Sequence, residues 1–127
     1  MGNYIVIDET MIWWTGQGDV HVSYIPRKPT PLGIELKTAC CGDSSILLNI
    51  DLVEGKVVDR QKAYMDKVQY PSTATTLRLA EPWKGSGRVV IADSWFGSCR
   101  TAEWLWDELG LYSILCVKNG HKGFPRA

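Results

Sequence analysis

No apolar run in this chain is long enough to cross a bilayer. The opening Met1-Gly2-Asn3-Tyr4 lacks the basic region and cleavage site of a secretory leader. The expectation is a soluble, intracellular protein with no membrane partner. An excess of charge is missing too: 14 Lys and Arg offset 14 Asp and Glu, so only local patches could favour a polyanion. The four cysteines, Cys40, Cys41, Cys99 and Cys116, form no CxxC pair and no His/Cys spacing suited to zinc, which leaves reduced, mostly buried thiols. No glycine-rich phosphate loop follows a strand, and this disfavours a nucleotide-binding α/β domain. Internal repeats and low-complexity tracts are also missing. What remains is 127 residues, 45% hydrophobic and with six Trp, the size of a single domain over 1–127 with a real core.

Two stretches stand out. Val89-Val90-Ile91-Ala92 is a short, β-branched run of the kind that sits mid-sheet with both faces covered, and it delivers Asp93 at its carboxyl end. Tyr4-Ile5-Val6-Ile7 does the same for Asp8, followed by Glu9. Ligands in open α/β sheets gather outside the carboxyl ends of strands, so two such acids on neighbouring strands are placed to share a divalent metal. Glu9 is expected to be an outward partner and not a ligand, since the next residue along a strand points the other way.

The first strand runs to about Trp14, with Trp13 and Trp14 packing one on each face, and Gly16 and Gly18 break it. Pro26, Pro29 and Pro31 impose a stiff extended connection that carries Arg27 and Lys28. Residues 34–40 and 46–53 read as a hairpin around Gly42-Asp43-Ser44, with Asp43 a turn residue and Asp51 an outward strand residue. Residues 54–70 read as a loop. A helix begins at Pro71-Ser72 with Ser72 as N-cap and stops before Pro82. A second is capped by Ser98 and stopped by Gly110, with Ala102, Leu105, Trp106 and Leu109 on its apolar face. A last strand at 112–117 precedes a basic, loop-like tail in which His121 is a loop residue. Trp95 and Phe96 read as core. The order predicts an α/β fold, a ribonuclease H-like mixed sheet with flanking helices, whose first and fourth strands lie side by side and parallel.

Four ordered blocks also carry a family resemblance: Ile7-Asp8-Glu9-Thr10-Met11-Ile12; Tyr24-Ile25-Pro26-Arg27-Lys28-Pro29 with Gly33-Ile34; Asp93-Ser94-Trp95-Phe96-Gly97-Ser98; and Lys122-Gly123-Phe124-Pro125. Over essentially its whole length the chain resembles the central domain of piggyBac-type transposases and their host-derived relatives. It departs from them near Gly16-Gln17, where relatives carry a basic residue, and in Ser94 and Gly97, where Asn and Thr are commoner.

The resemblance implies cut-and-paste DNA transposition in a longer parent, with Asp8 and Asp93 as ligands of Mg²⁺ or Mn²⁺ at the strand-transfer centre. It also implies DNA as partner, a possible homodimer of the parent and a nuclear location. The family's third Asp has no counterpart before Ala127, so the expectation is a C-terminally incomplete fold and no catalysis by this chain alone. A domesticated DNA-binding or protein-interaction module without catalysis is the alternative. Arg27, Lys28 and Lys37, with Lys118, Lys122 and Arg126, are the candidate contacts to DNA phosphates.

Overall fold

The computed structural model describes residues 2–121 and 123–125. Six strands form one mixed sheet: β1 (Tyr4–Trp13), β2 (Ser23–Tyr24), β3 (Leu32–Cys41), β4 (Leu47–Leu52), β5 (Val89–Ala92) and β6 (Tyr112–Leu115). Between β4 and β5 lie two single-turn helices, α1 (Lys56–Asp59) and α2 (Met65–Val68), and then α3 (Pro71–Ala80). Helix α4 (Cys99–Leu109) joins β5 to β6.

The sheet order is β2-β3-β1-β5-β6, with β4 also pairing β3. β3 runs antiparallel to β1, from Ile5 opposite Cys41 to Trp13 opposite Gly33. β2 and β4 share its far edge at successive positions. The expected hairpin is thus present, with a bulge between Ala39 and Cys40. β5 pairs β1 in parallel, Ile7 opposite Ala92, so the two strands that lead to the aspartates are neighbours as expected. β6 extends the parallel part, and α4 supplies the crossover that a parallel pair requires.

One face of the sheet carries the core. Ile5, Ile7, Ala39, Val90 and Ala92 pack with Ala74 and Leu77 of α3 and with Leu105 and Leu109 of α4. α3 is buried nearly all round, including Thr73, Thr75 and Thr76. Those hydroxyls are satisfied: Thr76 Oγ1 donates to the Ser72 carbonyl at 2.8 Å, Thr75 Oγ1 accepts from Arg78, and Thr73 bonds Thr101. The opposite face is different. Tyr4, Val6, Val89, Ile91, Tyr112 and Ile114 alternate with the core residues and are half-buried or exposed. The run Val89–Ala92 is therefore covered on one face and not on two, because both long helices pack against the same side.

Several local expectations are corrected. Trp13, the last residue of β1, is 72% exposed and does not pack into a face, and Trp14 lies beyond the strand and is half-buried. Helix α3 is capped from Tyr70 without a side-chain bond, and Ser72 is its second residue: Pro71, with φ preset and no N–H to satisfy, takes the first position. Trp106 is off the buried stripe of α4 and stacks on Tyr112 at the sheet edge, ring centroids 5.2 Å apart. Ser98 and Gly110 cap α4 as expected, Gly110 at φ +62°. Residues 54–70 contain the single turns α1 and α2 as well as loop.

Candidate metal centre between mid-β1 and the end of β5

Because Ile7 and Ala92 are register partners, the next residue of each chain, Asp8 and Asp93, emerges at the same level of the sheet. Each aspartate fixes one oxygen locally. Asp8 Oδ1 accepts from the Glu9 N–H at 2.8 Å, and Asp93 Oδ1 accepts from the Trp95 N–H at 3.0 Å. Both residues are exposed.

The turn after Asp93 is tightly built. The Gly97 N–H donates to the Asp93 carbonyl at 2.8 Å, and a Cβ on Gly97 would stand 2.1 Å from the Cys116 carbonyl oxygen. Only glycine fits there without moving the backbone that follows β6. Ser98 Oγ then accepts from the Thr101 N–H at 3.0 Å. The buried Thr101 hydroxyl donates to the Phe96 carbonyl, and this leaves its lone pairs to Ser98 at 3.0 Å and to Thr73 of α3 at 2.8 Å. Three hydroxyls thus tie the turn that aims Asp93 to both helices.

Glu9 departs most from expectation. It does alternate away from Asp8, but toward the covered face, so its side chain is only 3% exposed. Moreover, β5 ends at Ala92, and past that point no strand pairs β1 on the side where Asp93 emerges, although β3 continues along its other edge. Single carboxylate oxygens of Asp8, Glu9 and Asp93 accordingly lie within 4.8 Å of one another. Glu9 Oε1 accepts from Arg27 Nη2 at 3.0 Å and lies 3.4 Å from Lys28 Nζ. Lys37, its register partner on β3, stands 3.9 Å from Oε2. Glu9 Oε2 is buried and has no hydrogen-bond donor.

The candidate DNA contacts divide. Arg27 is largely exposed beyond its bond to Glu9, and Lys28 partly so. Lys37 is buried: it pairs with Glu35 at 2.5 Å and lies 3.7 Å from the ring centre of Trp95, so it is engaged within the protein and not presented at the surface. Lys118 is exposed. Lys122 and Arg126 lie outside the described residues. Phe96 is fully buried, whereas Trp95 is partly exposed and forms the lid over Lys37.

Asp43 occupies the expected turn. Asp51 is not outward. Its Oδ2 accepts from Arg78 Nε at 2.9 Å and Nη2 at 2.5 Å, and its Oδ1 takes Lys62 at 3.0 Å. β4 turns that face toward α3 and the loop, which the alternation of the hairpin alone does not reveal. A cavity of about 600 Å³ runs from this pair to the wall formed by Lys37 and Trp95.

Compared with known proteins, the whole chain, residues 1–127, matches the family model described as Transposase IS4. No curated protein matches. Among solved structures, the cryo-EM structure of a piggyBac transposase synaptic complex with hairpin DNA superposes with a TM-score of 0.82 at 25% identity. The alignment covers 98% of this chain and 25% of the solved one, so the chain spans about a quarter of that relative's length.

Proposed function

The chain belongs to the transposase family of the IS4 type, and from that premise we propose that it is a metal-dependent DNA-cleaving and strand-transferring domain of the piggyBac kind. The observation that carries the reading is the in-register parallel pairing of β1 and β5, which puts Asp8 and Asp93 within reach of one divalent cation. The donor set fits Mg²⁺ or Mn²⁺, hard ions that favour carboxylate oxygen over nitrogen or sulfur. When bound, such an ion supplies Lewis-acid activation of the attacking oxygen and charge neutralisation at the phosphodiester.

The chain's own residues then do the positioning. Asp8 and Asp93 are oriented by their local N–H bonds, and Asp93 is further fixed by the Gly97 turn and the Thr101 hydroxyl network. Arg27 and Lys28 stand beside the acids, where they would meet DNA phosphates, and Lys118 follows the last strand of the same sheet. DNA as partner agrees with the hairpin DNA in the solved relative. Dimerisation of a longer parent and residence in the nucleus accompany the reading.

The test combines binding and cleavage. The full chain should bind DNA weakly, with a shallow negative slope of affinity against salt that flattens when Lys118, Lys122 and Arg126 are replaced together. On linear DNA in Mg²⁺ or Mn²⁺ no nicking or strand transfer is expected from this chain alone, because positioning a second ion takes a further acid. Cutting that Asp8→Asn and Asp93→Asn each abolish would prove the function and overturn the claim that the site is incomplete. Failure to bind either DNA or Mn²⁺ would remove the function itself.

A further inference from the structure

We propose that Glu9 is a third carboxylate ligand of this centre, contributing Oε2 to the same cation that Asp8 and Asp93 hold; the proposal rests on the metal reading above. The two oxygens of Glu9 have different surroundings. Oε1 is occupied by Arg27 and Lys28, whereas Oε2 is buried without a donor. Lys37 does not fill that role. Its ammonium is 3.9 Å away, beyond hydrogen-bond range, and is drawn instead to Glu35 at 2.5 Å and to the Trp95 ring. A buried carboxylate oxygen with no partner is costly, and a cation is the partner that relieves it.

Oxygens on one octahedral Mg²⁺ are about 3.0 Å apart when adjacent and about 4.2 Å when opposite, so one oxygen from each of the three acids, now within 4.8 Å of one another, would draw in by up to about 1 to 2 Å around an ion. β5 stops at Ala92 and leaves the β1 edge unpaired beyond Ile7 on the side where Asp93 emerges.

Charge supports the arrangement as well. Three carboxylates around one divalent ion leave an excess negative charge, and Arg27 and Lys28 on Oε1, with Lys37 close by, offset it. Glu9 thereby couples the ion to the turn that carries Arg27 and Lys28, a turn closed by the Ile25 N–H on the Pro31 carbonyl at 2.7 Å.

Mn²⁺ binding to the full chain, measured by calorimetry and by the Mn²⁺ electron-spin resonance signal, tests this without any need for cleavage. Glu9→Gln keeps the shape of the side chain and is expected to weaken Mn²⁺ binding by about tenfold or more, as loss of a group that tunes a metal site does. Glu9→Asp keeps the charge one methylene short of the site and should also weaken it; this variant decides the matter if Glu9→Gln fails to fold. Wild-type affinity in a folded Glu9→Gln or Glu9→Asp, with affinity lost in Asp8→Asn and Asp93→Asn, would overturn the role of Glu9 and leave the metal centre standing. Absence of Mn²⁺ binding in the unmodified chain, or binding indifferent to both aspartate changes, would overturn both.

Discussion

Two clusters of buried charge lie on the same side of this sheet, and their bonding differs. At Asp51 every partner is engaged: Arg78 grips Oδ2 through two nitrogens and also donates to the Ala63 carbonyl, while Lys62 takes Oδ1 and lies against Asp59. At Glu9 one oxygen is gripped and the other has Lys37 at 3.9 Å but no hydrogen-bond donor. A closed network holds elements together, here β4, α3 and the loop between them. An open one, within 4.8 Å of two further carboxylates, is arranged to receive something. Glu9 is the more deeply buried of the two, its side chain 3% exposed against 13% for Asp51. The count of satisfied acceptors separates them.

Removing the carboxylate of the closed cluster should have the greatest consequence. Asp51→Ala strands Arg78 and Lys62, both mostly buried, and is expected to destabilise the fold by about 3 kcal/mol in urea unfolding while leaving Mn²⁺ affinity unchanged. Loss of Mn²⁺ binding in a folded Asp51→Ala would show that the two clusters act as one. Next comes the hydroxyl network that supports Asp93. Thr101→Val keeps the volume but abandons Ser98, Thr73 and the Phe96 carbonyl, at a cost of about 1 to 2 kcal/mol by the same measurement. Because the turn to Asp93 then loosens, Mn²⁺ affinity should fall with it, and an unchanged affinity would free the site from this support.

Glu9→Gln should cost less than about 1 kcal/mol in stability, since Gln still accepts from Arg27 and Lys37 retains Glu35. Its effect is expected in the metal titration, which is the reverse of the Asp51 result.

The smallest expected effect lies on the alkaline side. Burial, then the hydrogen bond to Glu81 and the charges of Glu81 and Glu108, push the Tyr64 hydroxyl up from 10.0 to about 12. A group raised on folding stabilises fully below its unfolded value and loses that contribution as pH climbs through the folded one. Stability should therefore decline between about pH 10 and 12 through this residue, and Tyr64→Phe should remove that part of the slope. An identical pH profile in the variant would rule the contribution out.

Much of the positioning was written locally. Apolar runs ending in Asp8 and Asp93, the Gly42-Asp43-Ser44 turn, the Ser98 cap and the Gly110 stop each express the preferences of a few neighbouring residues, and all four appear in the fold. What could not be read were features that depend on which face another element covers. Trp106 belongs to the apolar period of α4 but falls at the sheet edge, and Val89–Ala92 is apolar on both faces yet covered on one. Asp51 and Glu9 alternate as a strand requires, but alternation names two faces without saying which is buried.

The order of the residues was enough to give the two acid-bearing strands, the hairpin, the two long helices and the family, though not the short strand β2 or the single turns α1 and α2. It does so because strand runs, turns and caps are short-range preferences, and because four spaced blocks identify a lineage. It was the packing of distant elements that put both long helices on Glu9's side and captured Lys37 under Trp95. Those outcomes depend on where distant segments come to rest, and it is that packing which buries one carboxylate oxygen without a partner beside two exposed aspartates.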